Sequence, residues 1–365
     1  MLKIMLLTIA ILVLPTTCRA VELSAKSACL MVASSGEVIY EKESGMRLPM
    51  ASTTKMMTAL VAAESGRWDE VATVSANAEG QEGSSIYLEE NDKVKLSDLV
   101  CGMLLNSGND AAVAVAEHIS GDIKSFSQLM CERAKSIGAM NTSFENPSGL
   151  DSENHYSTAY DLALIGSEVV KNPHLRPIIQ SKEMQIADSE GNITYLRNHN
   201  KLLWSYEGMI GVKTGFTKKS GRCLVTAAER EGITLVAVTL CAPNDWQDHK
   251  NLLDYGFGMC ENSVVIEEGG ELGTVNVGGN DLKLIAKTAI AATGIKNRRE
   301  KREVKVSCVK NPTAPINEGE KLGEAYVYQN GRIIGQTDLL ASESVYEIQE
   351  DTGGFLEFIK SIFKG

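Results

Sequence analysis

The sequence predicts an α/β domain followed by a separate small all-β domain. Three observations carry that prediction. Between residues 27 and 257, short β-rich runs are interspersed with long helical stretches. After about Gly258, short strand-type segments alternate with Gly, Asn and Asp instead. The chain has 365 residues and is 43% hydrophobic, which suffices for two cores and is too apolar for disorder.

The first element is a leader. Lys3 precedes the apolar run Ile4 to Leu14, and a polar stretch ends in the small residue Ala20. Residues 1–20 therefore read as a cleaved signal peptide, because the apolar run is far short of the roughly 20 residues that span a bilayer. Residues 27–33 and 37–41 form a hairpin around Ser34-Ser35-Gly36. Ser52 to about Gly66 is helical. Leu96 to Ile137 is helical with breaks at Asn106-Ser107-Gly108-Asn109 and near Gly121. Asn141 to Tyr156 is a long loop, and Ser157, as N-cap, starts a helix to about Lys171. Strand-like runs follow at 184–187, 209–213, 223–228 and 233–240, then an amphipathic helix from Trp246 to Phe257.

The trailing domain, 260–350, holds strand-type segments at 263–266, 272–277, 282–286, 304–309, 324–328 and 332–336. The mixed charge run from Asn297 to Lys305 reads as a solvated turn. In the tail, 351–365, Phe355, Phe358, Ile359, Ile362 and Phe363 share one helical face. That face suits either packing on the β domain or attachment to a membrane surface.

Charge and composition narrow the function. A net charge of −11 argues against a nucleic-acid partner. The five histidines lack metal-ligand spacing and no CxxC pair exists, so neither metal nor cofactor is expected. Beyond Cys18, seven cysteines remain, an odd number that cannot pair completely within one chain. They read as small buried hydrophobes.

Three short motifs carry chemistry. Ser52 and Lys55 stand one turn apart at a helix start, a nucleophile and base pair if the amine is neutral. Ser107 and Asn109 lie in an interhelical break, where a hydroxyl relays a proton and an amide holds a carbonyl or the lysine. Lys213, Thr214 and Gly215 end a strand, where a cation and a hydroxyl meet a carboxylate and the glycine allows close approach of another chain. Each motif alone is weak, an N-cap, a turn or a strand end. Their order, spacing and local settings together match the set used by penicillin-binding proteins and class A β-lactamases.

On these residues the chain resembles the penicillin-recognising serine acyl transferases, and more closely the low-molecular-weight penicillin-binding proteins that are serine D-alanyl-D-alanine carboxypeptidases. The likeness extends to Pro49–Ala59, Leu104–Ala112, Phe144–Leu150, His155–Ala163, Gly211–Thr217 and Leu252–Phe257. It implies a serine D,D-peptidase domain over 21–259, with helices packed on an antiparallel sheet in the β-lactamase/transpeptidase manner. It also implies that the tail attaches to the outer face of the cytoplasmic membrane.

The resemblance assigns Ser52 as nucleophile, Lys55 as its base, and Ser107 with Asn109 as the proton path to the departing D-alanine. Lys213 and Thr214 face the substrate carboxylate. The backbone N–H groups of Ser52 and Phe216 form the oxyanion hole. Lys213 also helps keep Lys55 neutral. The implied partners are peptidoglycan stem peptides ending in D-Ala-D-Ala, and β-lactams as covalent inhibitors. A D,D-endopeptidase or transpeptidase acting on cross-links is the alternative, and a class A-like β-lactamase a further one. The loop at 146–154 lacks the Glu-x-x-x-Asn arrangement of the latter.

Some positions depart from the family pattern. Phe216 replaces the His or Tyr of some relatives. Asn198-His199-Asn200 has no Arg between its asparagines, and Pro243–His249 holds no Arg. The arginines that steady the substrate carboxylate thus have no clear counterpart. Arg197 and Arg222 lie nearby in sequence without an assigned role.

Overall fold

A computed structural model describes residues 21–346. The leader 1–20 and the tail helix expected at 351–365 lie outside them. The chain opens with strands β1 (Ser27–Val32) and β2 (Val38–Lys42). A 3-10 turn (Ala51–Thr54) runs into helix α1 (Lys55–Glu64), followed by strands β3 (Val71–Thr73) and β4 (Lys93–Lys95). Helices α2 (Leu96–Leu105), α3 (Asn109–Ser120), α4 (Ile123–Ser136), α5 (Ala159–Lys171) and α6 (Leu175–Gln180) come next. Then come strands β5 (Glu183–Ala187) and β6 (Ile193–Arg197) and a second 3-10 turn (Lys201–Trp204). Strands β7 (Met209–Thr217), β8 (Gly221–Arg230) and β9 (Ile233–Leu240) lead to helix α7 (Asp245–Met259).

Strands β1, β2, β7, β8 and β9 form one antiparallel sheet in the order β2-β1-β9-β8-β7. Its two faces explain why these strands read as unbroken apolar runs. Cys29, Met31, Val225, Ala227, Val236 and Val238 pack into the core built by α1 to α6. The alternate residues Ala28, Leu30, Val32, Leu235 and Ala237 pack against Leu252 and Leu253 of α7. A sheet covered on both sides has no polar face to alternate with. Strand β7 is an edge, so one side of it is open to the turn that carries Ser52.

Strands β10 (Cys260–Ile266), β11 (Glu271–Val277), β12 (Asn280–Ala286), β13 (Ile290–Ile295), β14 (Arg302–Cys308), β15 (Lys321–Gln329) and β16 (Arg332–Ala341) make the second part. Five of them form the sheet β11-β12-β16-β15-β14, and β10 pairs with β13. Val275, Val277, Leu282, Leu284, Val327 and Leu339 are among its core residues.

Several local expectations need correction. The charge run at 297–305 is not all turn: Arg302 onwards is β14, paired along its length with β15. β14 is an edge strand whose residues are nearly all exposed, so charged side chains cost nothing there. Thr158, not Ser157, caps α5, because its hydroxyl accepts from Asp161 N–H. Ser52 sits in the 3-10 turn before α1 rather than on the helix. The small strands β3, β4, β6 and β13 and helix α6 had no periodicity long enough to announce them. Cys241 and Cys308 are exposed, unlike Cys29, Cys101, Cys223 and Cys260. Among the described residues no helix is long and apolar enough to cross a membrane, and no His/Cys/Asp/Glu group could hold a metal ion.

Candidate active site

The three motifs meet in one cleft of about 910 Å3. Ser52, Ser107, Thr214, Gly215 and Phe216 line it. Lys55, Asn109 and Lys213 are buried, directly bonded to that lining or its neighbours. The edge position of β7 lets its backbone run against the turn that carries Ser52. A Cβ on Gly215 would lie 3.1 Å from both Ser52 N and Met50 O, so a larger residue would push the turn away.

Lys55 Nζ has three neighbours: Ser52 Oγ at 3.2 Å, Asn109 Oδ1 at 2.6 Å and the Ser148 carbonyl at 2.5 Å. Burial first, and then the Lys213 charge, lowers its pKa well below the usual lysine value; Asp110 opposes this. A neutral amine has two N–H groups and one lone pair. The oxygens of Asn109 and Ser148 take the two N–H groups, because both are acceptors only, which turns the lone pair toward the Ser52 hydroxyl. Asn109 is itself oriented, since its Nδ2 donates to the Glu82 carbonyl.

Lys213 Nζ donates to Ser107 Oγ at 3.1 Å and to the Thr214 carbonyl at 2.9 Å. Its side chain is 2% exposed, and burial lowers its pKa to about 7. Lys213 therefore stands behind Ser107 rather than in the open cleft. Backbone strain sits at both hydroxyl-bearing turns: Ala51 has φ +48° and Ser107 φ +63°, a region that costs non-glycine residues about 1 kcal/mol or more.

Sequence reasoning missed the supports. Asp110 is wholly buried and accepts from the N–H groups of Ile86, Leu88 and Ala111 and from Ser85 Oγ, which holds the 84–88 loop at the site. A carboxylate at the head of the apolar helix Ala111–Ala116 was the available signal. His155 accepts Glu145 N–H at Nδ1, so its Nε2 carries the proton and donates to Thr54 Oγ1 at 2.7 Å. Burial lowers the His155 pKa to about 4, in keeping with that neutral tautomer. The ring thereby ties the 145–150 loop, with its Ser148 carbonyl, to the start of α1.

Arg197 and Arg222 both line the cleft, as do Lys201, His199 and the two tryptophans Trp204 and Trp246. Arg222 lies opposite Phe216 in the β7–β8 register. Its Nε donates to Asp245 Oδ1 at 2.9 Å, and its guanidinium lies 5.8 Å from the Trp246 ring. Among the described residues, Asp245 is the only carboxylate of the cleft lining. Glu145, in the long loop, is turned to Ser152 and Asn154 instead.

Comparison with known proteins agrees with this geometry. Residues 15–244 match the family model described as D-alanyl-D-alanine carboxypeptidase, and residues 261–347 match the penicillin-binding protein 5 C-terminal domain. The chain is 32% identical to the D-alanyl-D-alanine carboxypeptidase DacF of Bacillus subtilis, covering 92% of this chain and 88% of that one. Among solved structures it resembles penicillin-binding protein 5 of Haemophilus influenzae, with 30% identity and TM-score 0.66, covering 89% of this chain and 98% of that one. A variant of the Streptomyces K15 DD-transpeptidase aligns at 31% identity and TM-score 0.62, covering 65% of this chain and 99% of that one.

Proposed function

We propose, because the chain belongs to the D-alanyl-D-alanine carboxypeptidase family, that Ser52 is the nucleophile of a serine-type carboxypeptidase acting on peptidoglycan stem peptides. One observation carries the assignment. Lys55 is buried, held by two acceptors and depressed in pKa, with Ser52 Oγ at its remaining valence.

In this reading Lys55 takes the Ser52 proton as Oγ attacks the carbonyl between the two D-alanines. The N–H groups of Ser52 and Phe216 hold the developing oxyanion. The C–N bond breaks, and Ser107 passes a proton to the departing amine, replenished from Lys213. Lys55 then releases the Ser52 proton and Lys213 regains one, which restores both amines; water adds to the Ser52 ester with its proton going to Lys55, and Lys55 returns that proton to Ser52 Oγ as the shortened peptide leaves. Thr214 and Arg222 meet the terminal carboxylate. Arg222 fits that task because Asp245 occupies only its Nε, leaving the Nη edge for a carboxylate. This supplies the basic group that the motif comparison lacked. Lys213 contributes charge from behind rather than a direct contact.

A β-lactamase role is disfavoured, since the Ser148 carbonyl and not a loop carboxylate stands beside Lys55. We further propose that the leader exports the chain and that the 351–365 face holds it at the membrane. Deleting 353–365 and fractionating cells tests the second point, and retention of the truncated chain with membranes would overturn it.

The decisive experiment incubates the protein with a pentapeptide ending in D-Ala-D-Ala, with and without penicillin. Release of one D-alanine, blocked by penicillin and abolished together with the acyl-enzyme mass shift in Ser52→Ala, is the expected outcome. Cross-linked product without D-alanine hydrolysis would favour the transpeptidase reading instead.

A further inference from the structure

We infer that Cys223 and Cys241 are a modification site: they close to a disulfide by exchange with a low-molecular-weight disulfide, and the closed pair slows acylation at Ser52. The cross-link stands apart from the proposed function. Only its effect on acylation draws on the Ser52 assignment.

The first observation is the placement of the two thiols. Both are free, Cys223 buried and Cys241 exposed. Beyond Leu224 and Thr239, where the regular β8–β9 pairing ends, Ala242 N–H donates to the Arg222 carbonyl at 3.0 Å. Cys241 and Ala242 thus face the single Arg222, and Cys241 has φ +51°. This is a β-bulge, a device that re-aims a side chain. An unbulged strand would send Cys241 to the α7 face with Arg222. Instead its Sγ lies 3.4 Å from the Cβ position of Gly221, which alternates with Cys223 along β8. Cys223 Sγ is 3.9 Å from the Gly221 carbonyl oxygen, so the two sulfurs flank one glycine.

The second observation is reach. Opposed residues of an antiparallel pair have Cα atoms roughly 4.5–5.5 Å apart, and one step along a strand adds roughly 3.4 Å sideways. The Cys223 and Cys241 Cα atoms are therefore about 6 Å apart, inside the roughly 4.4–6.8 Å that a disulfide spans. Burial pushes the Cys223 thiol up to about 11, while the Cys241 N–H and the Ser220 hydroxyl bond its sulfur and oppose that rise. The exposed Cys241 is the thiol that an external reagent meets, and Cys223 is the one that resolves. The Cys241 thiolate attacks the external disulfide and expels one thiolate. The Cys223 thiolate then attacks the Cys241 sulfur and expels the second. Two protein thiols become one disulfide, and the external disulfide becomes two thiols that carry the two protons. Export, as proposed, takes the pair out of the reducing cytoplasm.

The third observation is what Cys223 supports. Its Sγ donates to the Pro49 carbonyl at 3.8 Å, three residues before Ser52. It stands opposite Gly215 in the β7–β8 register, and Gly215 is the residue packed against Ser52 N. Disulfide formation removes the donor from Pro49 and draws the sulfur toward the end of β9. Arg222 is held between the two bonded residues.

The test incubates the full chain with oxidised glutathione, blocks free thiols with iodoacetamide in urea, and maps tryptic peptides by mass. Cleavage after Arg222, Arg230 and Lys250 leaves the two cysteines in separate peptides, 223–230 and 231–250. These should appear joined, two hydrogens short of their summed mass, and should part on reduction. Benzylpenicillin acylation should fall at least about threefold in the oxidised protein and recover with dithiothreitol, as a small displacement beside the nucleophile demands. Cys241→Ser should form no cross-link and keep its rate under the same treatment. Both cysteines blocked by iodoacetamide, or Cys241 held as a glutathione adduct, would overturn the pair. A joined pair with unchanged acylation, or an equal loss in Cys241→Ser, would overturn its link to the cleft. An untreated protein that penicillin does not acylate would overturn the Ser52 assignment, and the mass map would still decide the pair.

Discussion

Two lysines, Lys55 and Lys213, are buried at the cleft. Desolvation of Lys55 and Lys213 is unfavourable to folding. Lys213→Met keeps the length of the side chain and removes the charge. We expect it to raise stability by about 1–4 kcal/mol, as when buried ions give way to packed apolar groups, and to slow acylation at least about 100-fold. Thermal unfolding and the penicillin acylation rate read the two effects. Unchanged or lower stability would mean that the bonds to Ser107 and Thr214 outweigh desolvation. The motif residues themselves were legible in the sequence, since a hydroxyl and an amine three residues apart at a helix start are a local pattern. Arg222 was not, because its place opposite Phe216 depends on strand register and its orientation on Asp245 at the head of α7.

At the scale of elements, the turn carrying Ser52 is clamped between β7 and the 145–150 loop. Gly149 shows how tight that clamp is: at φ +92°, a Cβ there would sit 2.0 Å from the Ala51 carbonyl oxygen. Gly149→Ala should therefore displace the turn carrying Ser52. We expect a loss of at least about 2 kcal/mol in stability and about 100-fold in acylation rate, the latter following from a misplacement near 1 Å. Gly66 supplies the contrast, with φ +73° but nothing within 4 Å of its Cβ position. Gly66→Ala should cost about 1 kcal/mol from backbone strain, leaving acylation intact. Equal acylation in the two variants would show that the loop does not position Ser52. The long helices were readable from their period and the sheet strands from their apolar runs. Short elements such as β3, β4 and α6 were not, because they are stabilised by neighbours rather than by their own pattern.

Across the whole molecule, buried histidines couple folding to pH. His249 of α7 pins that helix to β8 and β9, with Thr226 Oγ1 2.7 Å from Nδ1 and Thr239 Oγ1 2.9 Å from Nε2. Burial lowers its pKa from 6.5 to about 3, and that of His155 from 6.5 to about 4. The unfolded chain takes up these protons near pH 6.5 while the folded chain does not. Their contribution is therefore complete above that pH and drains as pH falls toward the folded values. At pH 5 the loss is on the order of 2 kcal/mol per histidine. Urea midpoints measured from pH 7.5 to 5 should decline, and His249→Gln should flatten the decline. A slope unaltered by that substitution would exclude His249 as a cause. The two parts of the molecule also meet through polar groups: the buried Glu37 of the β1–β2 turn accepts from the buried Gln329 at 2.9 Å and from the exposed Arg298 at 3.1 Å. No sequence pattern announces that junction, because its members are nearly 300 residues apart.

By itself the sequence determined the order of chemical groups and the elements that bear them: a Ser-x-x-Lys turn, a Ser-x-Asn break, a Lys-Thr-Gly strand and a trailing β-rich part. Those are local properties, written in residue type, spacing and hydrophobic period. Tertiary structure decided what those groups can do. It buried both Lys55 and Lys213, and desolvation depresses the pKa of each. It also chose Arg222 for one cleft wall and Arg197 for another, because only the packing of β6 against α2 and of β8 against α7 decides which cations share a cavity with Ser52.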